Sequence, residues 1–280
     1  ADGQDVEQST EDIAQAIADY SDKISSSNMP ISSNEVEHLR HVTSEAERRK
    51  SKLLGGLNYE IGNYLYIIAD LKSAMKHYEL ALKMDEAIYG EDHPNVAAYL
   101  NNIGLVLQDM GDLRGAKEYL ERALKIDEAI YGEDHSRVAI RVNNIGLVLK
   151  DMGDYKGAKE YLERALRIDE ANYGEDHPNV AIDVKNIGQV LYKMGDLNGA
   201  KEYLERALKI GEATYGKDHP NVATYVNNIG SVLKAMGDYK GAKEYLERAL
   251  KIDEATYGED HPNVATRLNN IGHVLMDMGD

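Results

Sequence analysis

Five histidines recur 42 residues apart, at His93, His135, His177, His219 and His261, each preceded by an aspartate. Asp-His is a pair that can ligate a metal or relay a proton. Stacked helical units place equivalent residues about one helix diameter, roughly 10 Å, apart, so the five cannot share one ion. No second His or Glu completes a local ligand set beside any of them, and the expectation is a loop-fixing and capping role with no metal. The chain has no cysteine, which removes thiolate sites and thiol nucleophiles together. It also lacks a glycine-rich phosphate loop, a His-Glu-x-x-His pair and a nucleophile elbow. No catalytic set and no cofactor site is expected, and the chain reads as a non-enzyme.

Paired amides recur on the same period: Asn101-Asn102, Asn143-Asn144, Asn227-Asn228 and Asn269-Asn270, with Lys185-Asn186 in the remaining unit. Asn is a mediocre helix former because its side chain competes for backbone hydrogen bonds. Two per unit in mid-helix therefore imply a use. One is a polar ladder that ties each helix to its neighbour and fixes register. The other is a groove that hydrogen-bonds the main chain of an extended peptide. Both stay open on sequence grounds, and the two amides of a pair could divide the roles.

Between copied positions, three vary. They read Ala98, Ile140, Ile182, Thr224, Thr266; then Leu105, Leu147, Gln189, Ser231, His273; then Gln108, Lys150, Tyr192, Lys234, Met276. Lys150, Lys185, Lys193 and Lys234 tint this region basic within a chain of net charge -17. The expected recognition residues are these lysines, Tyr192 and the amides from Asn101 to Asn270. The expected partner is a protein or peptide, with acidic residues as one option. An acidic chain is a poor binder of nucleic acid or anionic membranes, and no apolar run approaches the roughly 18 residues of a spanning helix.

The elements that must position these residues follow from the period. Val96, Leu100, Ile103, Val106, Leu107 and Met110 fall three and four apart, one stripe of an α-helix. Pro94 suits its first turn, Asp92 or His93 its N-cap, and Gly111 its stop. Asp112 opens a second helix whose buried side is expected to hold Leu113, Ala116, Leu120, Ala123, Leu124 and Ala129, with Glu118–Arg122 and Glu121–Lys125 paired outside. Gly132 ends it. Two antiparallel helices with a short corner cannot bury both faces alone, so units must stack.

The small residues carry a resemblance. Gly104 recurs as Gly62, Gly146, Gly188, Gly230 and Gly272, and Ala116/Ala123 as Ala74/Ala81, Ala158/Ala165, Ala200/Ala207 and Ala242/Ala249. With Gly111 at the corner, this pattern resembles the tetratricopeptide repeat. The usual Pro after the second helix is absent, with Glu128 in its place, and the longer unit is similar to the kinesin light chain type of repeat. Similar arrays also follow the nucleotide-binding domain of signalling ATPases. The resemblance implies an all-α, right-handed superhelical solenoid of antiparallel helix pairs. It also implies a concave groove lined by the first helices, where an Asn at the place of Asn102 contacts bound peptide.

The array is expected over 51–280, with repeats at 52–93, 94–135, 136–177, 178–219 and 220–261 and a first helix alone at 262–280. Residues 1–50 read as helices and a linker, the second helix acting as a cap. Three functions compete. The first is a peptide-binding scaffold, the second a repeat arm of a larger signalling ATPase, and the third a self-assembling array joined end to end through the uncovered Ile271, Val274, Leu275 and Met278. The absence of cysteine fits a cytoplasmic setting.

Overall fold

The computed structural model describes residues 54–279; the expected helices and cap within 1–50 lie outside them. Eleven helices and no strand form among the described residues: α1 (Leu54–Ile67), α2 (Leu71–Tyr89), α3 (Pro94–Asp109), α4 (Leu113–Tyr131), α5 (Ser136–Asp151), α6 (Tyr155–Tyr173), α7 (Pro178–Met194), α8 (Leu197–Tyr215), α9 (Pro220–Ala235), α10 (Tyr239–Tyr257) and α11 (Pro262–Met278). Packing divides the chain between Ile130 and Tyr131 into two compact units. Within each, successive helices pack on one another as antiparallel pairs, and in the second unit the first helices α5, α7, α9 and α11 also touch in turn.

The pairs close because each first helix carries a glycine where its partner leans in. An added Cβ on Gly146 would stand 2.7 Å from Leu162 Cγ and 3.2 Å from the Ala158 carbonyl oxygen. The Leu162 side chain is fully buried there, as Leu120, Leu204 and Leu246 are in their units. In the first repeat Tyr78 takes the leucine's place over Gly62, and its hydroxyl donates to Asn63 Oδ1 at 2.8 Å.

The histidines cap helices. In every complete loop the His Nδ1 accepts the N–H two residues on, at 3.1–3.2 Å, which satisfies one orphan donor of the following helix. His93, not Asp92, fills the cap of α3. Each ring also stacks on the tyrosine four residues before it, with centroids 4.4–4.7 Å apart. Ser136 replaces the proline without loss of the helix start, and Arg137 lies 5.2 Å over the Tyr131 ring. Between tyrosine and histidine, glycines such as Gly174 (φ 87°, ψ 162°) occupy a backbone region that only glycine adopts easily.

Three expectations change. Ala129 is exposed, and Ile126 with Asp127 takes the buried place. The helical ion pairs run Lys117–Glu121, Lys159–Glu163, Lys201–Glu205 and Lys243–Glu247. The arginines instead reach back to the preceding repeat, Arg122 to Glu86, Arg206 to Glu170 and Arg248 to Glu212, each at 2.6 Å. On α11, Ile271 and Val274 are buried against the preceding pair, so its exposed apolar side chains are Leu268, Met276 and Met278.

Candidate functional site

Each first helix turns one stripe away from its partner helix, and the varied positions lie on it. In α5 the stripe is Ile140, Asn143, Asn144, Leu147 and Lys150, spaced three and four apart, all half-buried except the exposed Ile140. Equivalent residues of α7 are Ile182, Lys185, Asn186, Gln189, Tyr192 and Lys193, and of α9 Thr224, Asn227, Asn228, Ser231 and Lys234.

The amides divide along the array. Asn101, Asn186 and Asn227 are buried, Asn102, Asn143, Asn144, Asn228 and Asn270 half-buried, and Asn269 exposed. Between neighbouring first helices they form a ladder: Asn186 Nδ2 donates to Asn143 Oδ1 at 2.8 Å, and Asn270 Nδ2 to Asn227 Oδ1 at 2.9 Å. In the first unit Asn102 donates to Asn63 at 2.9 Å, and Asn101 to Asn102 at 3.1 Å. The ladder breaks once within the second unit. Lys185 stands where an acceptor should be, and Asn228 Nδ2 is buried with no hydrogen-bond partner.

The lysines are not equivalent. Lys234 pairs with Asp277 of the next first helix at 3.2 Å. The matching positions in the first unit hold Tyr66 and Asp109, whose hydroxyl–carboxylate hydrogen bond measures 2.7 Å; burial, helped by that carboxylate, pushes the Tyr66 phenol up to about 12. Between α5 and α7 the same two positions hold Lys150 and Lys193, two cations. Lys150 lies 3.8 Å from its own neighbour Asp151. Lys185 is lowered from the usual lysine range, first by burial and then by the Lys150 charge. The stripe of α5 and α7 therefore concentrates three ammonium groups where the α1–α3 and α9–α11 pairs match a donor with a carboxylate.

A second set of positions escaped the sequence reading. Within the two units, where a second helix meets the following first helix, residues 14 positions apart face each other, and most of them are buried and polar. Asp85 accepts from the Tyr99 hydroxyl at 2.9 Å and also from the Asn95 amide. Asp253 accepts from Arg267 Nε at 2.9 Å. Gly211 leaves room for the Tyr225 ring. Between α6 and α7 the two residues are Asp169 and Asp183, both buried. Asp183 hydrogen-bonds to Asp169 and is pushed up to about 8, first by burial and then by the Asp169 charge. Burial raises Asp169 as well, against the lowering effect of His177 and of hydrogen bonds from Asn179 and Asp183. A signal was present in the sequence: Tyr99, Arg141, Asp183, Tyr225 and Arg267 vary between copied neighbours, and Gly211 interrupts an aspartate series.

Among the described residues no cluster of three or more His, Asp or Glu side chains could hold a metal ion, and no helix is long and apolar enough to cross a membrane. Antiparallel helix pairs, a glycine contact in each and a polar ladder between first helices define a helical repeat protein. The family follows directly: a tetratricopeptide repeat profile matches 54–129, 100–171, 136–213, 181–255 and 223–280, and the chain belongs to the tetratricopeptide repeat family. No curated protein matches it. Among solved structures it is similar to BtubC (BKLC) from P. vanneervenii, at 26% identity and TM-score 0.65 over 82% of this chain and 91% of that one. It shares its fold with a Podosopora anserina protein described as a kinesin light chain of nearly identical TPR-like repeats (20% identity, TM-score 0.60, 71% of this chain and 95% of that). The same holds for the apo form of RapI (19% identity, TM-score 0.63, 80% and 84%). Repeats of this family are, in general, protein-interaction scaffolds.

Proposed function

We propose that the stripe of α5 and α7 turned away from their partner helices is a recognition surface for a protein or peptide segment carrying acidic residues. One observation carries the reading. Tyr66–Asp109 and Lys234–Asp277 are matched within the chain, whereas the same positions between α5 and α7 hold Lys150 and Lys193, with Lys185 half-buried beside them. Like charges held together repel, and a carboxylate from outside relieves that repulsion while supplying an acceptor. The lysine positions set charge preference, and the varied Leu147, Gln189, Tyr192 and Ser231 would shape the fit. Asn144 and Asn228 serve main-chain contacts in this reading, while Asn186 and Asn270 hold the ladder.

Binding to arrayed acidic, neutral and basic 12-residue peptides tests it. The intact chain is expected to retain acidic peptides, and Lys150→Ala with Lys193→Ala to weaken them by roughly tenfold, about 1.4 kcal/mol. Retention without charge preference, or an unchanged double variant, would sink the proposal. Self-association through α11 is the second reading, favoured by the exposed Leu268, Met276 and Met278. Sedimentation at rising concentration separates the two, since a monomer at every concentration removes it.

A further inference from the structure

Within the two units, the places where a second helix meets the next first helix use one geometry with different chemistry. Asp85 meets a tyrosine hydroxyl, Asp253 a guanidinium, and Gly211 a ring with no acid present. Asp169, between α6 and α7, meets another carboxyl group, that of Asp183, and the two are 6% and 3% exposed. Two adjacent buried anions are strongly disfavoured, since burial penalises the charge of each and their mutual repulsion is poorly screened. A hydrogen bond between two carboxyl groups needs one proton between them.

We propose that the α6–α7 junction is a proton-dependent closure: Asp183 keeps its proton and donates it to the Asp169 carboxylate, and the junction loosens when that proton leaves to solvent. The groups around the pair are these. From α6, Glu170 adds repulsion, although Arg206 of α8 holds it at 2.6 Å. From α7, Lys185 offsets part of the charge on Asp183, while His177 and the Asn179 amide act on Asp169. Asp169 Oδ1 and Asp183 Oδ2 have no further hydrogen-bond partner. None of these neighbours donates a hydrogen bond to Asp183, which leaves the shared proton as the group that closes the contact. The α2–α3 and α10–α11 junctions need no such proton, because a phenol or a guanidinium supplies the donor.

The direction of the effect is fixed by linkage. The proton is held more tightly in the folded chain, where Asp183 is raised to about 8, than in the unfolded chain, where Asp titrates near about 3.9. The contribution is therefore fully present below that unfolded value and drains as pH rises through the folded one.

Hydrogen exchange on the full chain, read by mass spectrometry at about pH 6 and about pH 9 and corrected for intrinsic exchange, tests it. Protection in the facing segments of α6 and α7 is expected to fall by roughly tenfold or more relative to α10 and α11, where Asp253–Arg267 serves as an internal control. Asp183→Asn should abolish the difference. Asp183→Arg, which copies the α10–α11 pair, should abolish it too and covers failure of the first variant to fold. An equal response at both junctions, or a variant that keeps the response, overturns the proposal. Restoration of protection at the higher pH by a divalent cation also overturns it, since the pair would then be a cation site.

Discussion

The amides show how one residue type can hold different positions in the same array. Asn270 closes a rung onto Asn227, so Asn270→Ala leaves a largely buried acceptor without its donor and should cost about 1–2 kcal/mol in urea unfolding. Asn228 faces Lys185 across the broken rung and gives its Nδ2 to nothing, so Asn228→Ala should stay within about 0.5 kcal/mol of the parent. Equal losses in the two variants would show that the ladder is not what holds these helices in register. The recurrence of Asn pairs was legible in the sequence. Which amide donates was not, because the answer depends on a residue about 43 positions away on another helix. The buried Asp–Tyr and Asp–Arg pairs were missed for a related reason: they join the end of one helix to the middle of the next, across a loop, so no single-helix periodicity displays them.

At the scale of the element, helix starts, stops and glycine contacts followed from local rules, and the structure keeps nearly all of them. The first corner is the exception. Ala69 takes the position of Gly111, Gly153, Gly195 and Gly237 and adopts φ 60°, a left-handed conformation in which its Cβ is strained. Ala69→Gly should raise stability by about 1 kcal/mol, and an unchanged or lower urea midpoint would show that the corner carries no strain. Gly146→Ala should act in the opposite sense, by about 1–3 kcal/mol, because its methyl group meets Leu162 and the Ala158 carbonyl. Two helix sides differ from the sequence expectation: near the end of α4, Ile126 and Asp127 supply the buried contacts in place of Ala129, and on α11 Ile271 and Val274 are buried.

At the scale of the whole molecule, a net charge of -17 sets the background against which three clustered lysines matter. Added salt should weaken capture of acidic peptides while slightly raising stability, since screening reduces both the attraction and the self-repulsion of the chain. Binding that strengthens with salt would point to an apolar contact instead. The most direct measurement is site-specific photo-crosslinking with the probe placed in turn at Leu147, Gln189 and Ser231 on the first helices and at Glu160, Glu202 and Glu244 on the exposed side of the second helices. The account predicts cross-links to an acidic peptide from the first set and few from the second. Cross-links confined to the second set, or spread equally over both, would contradict it.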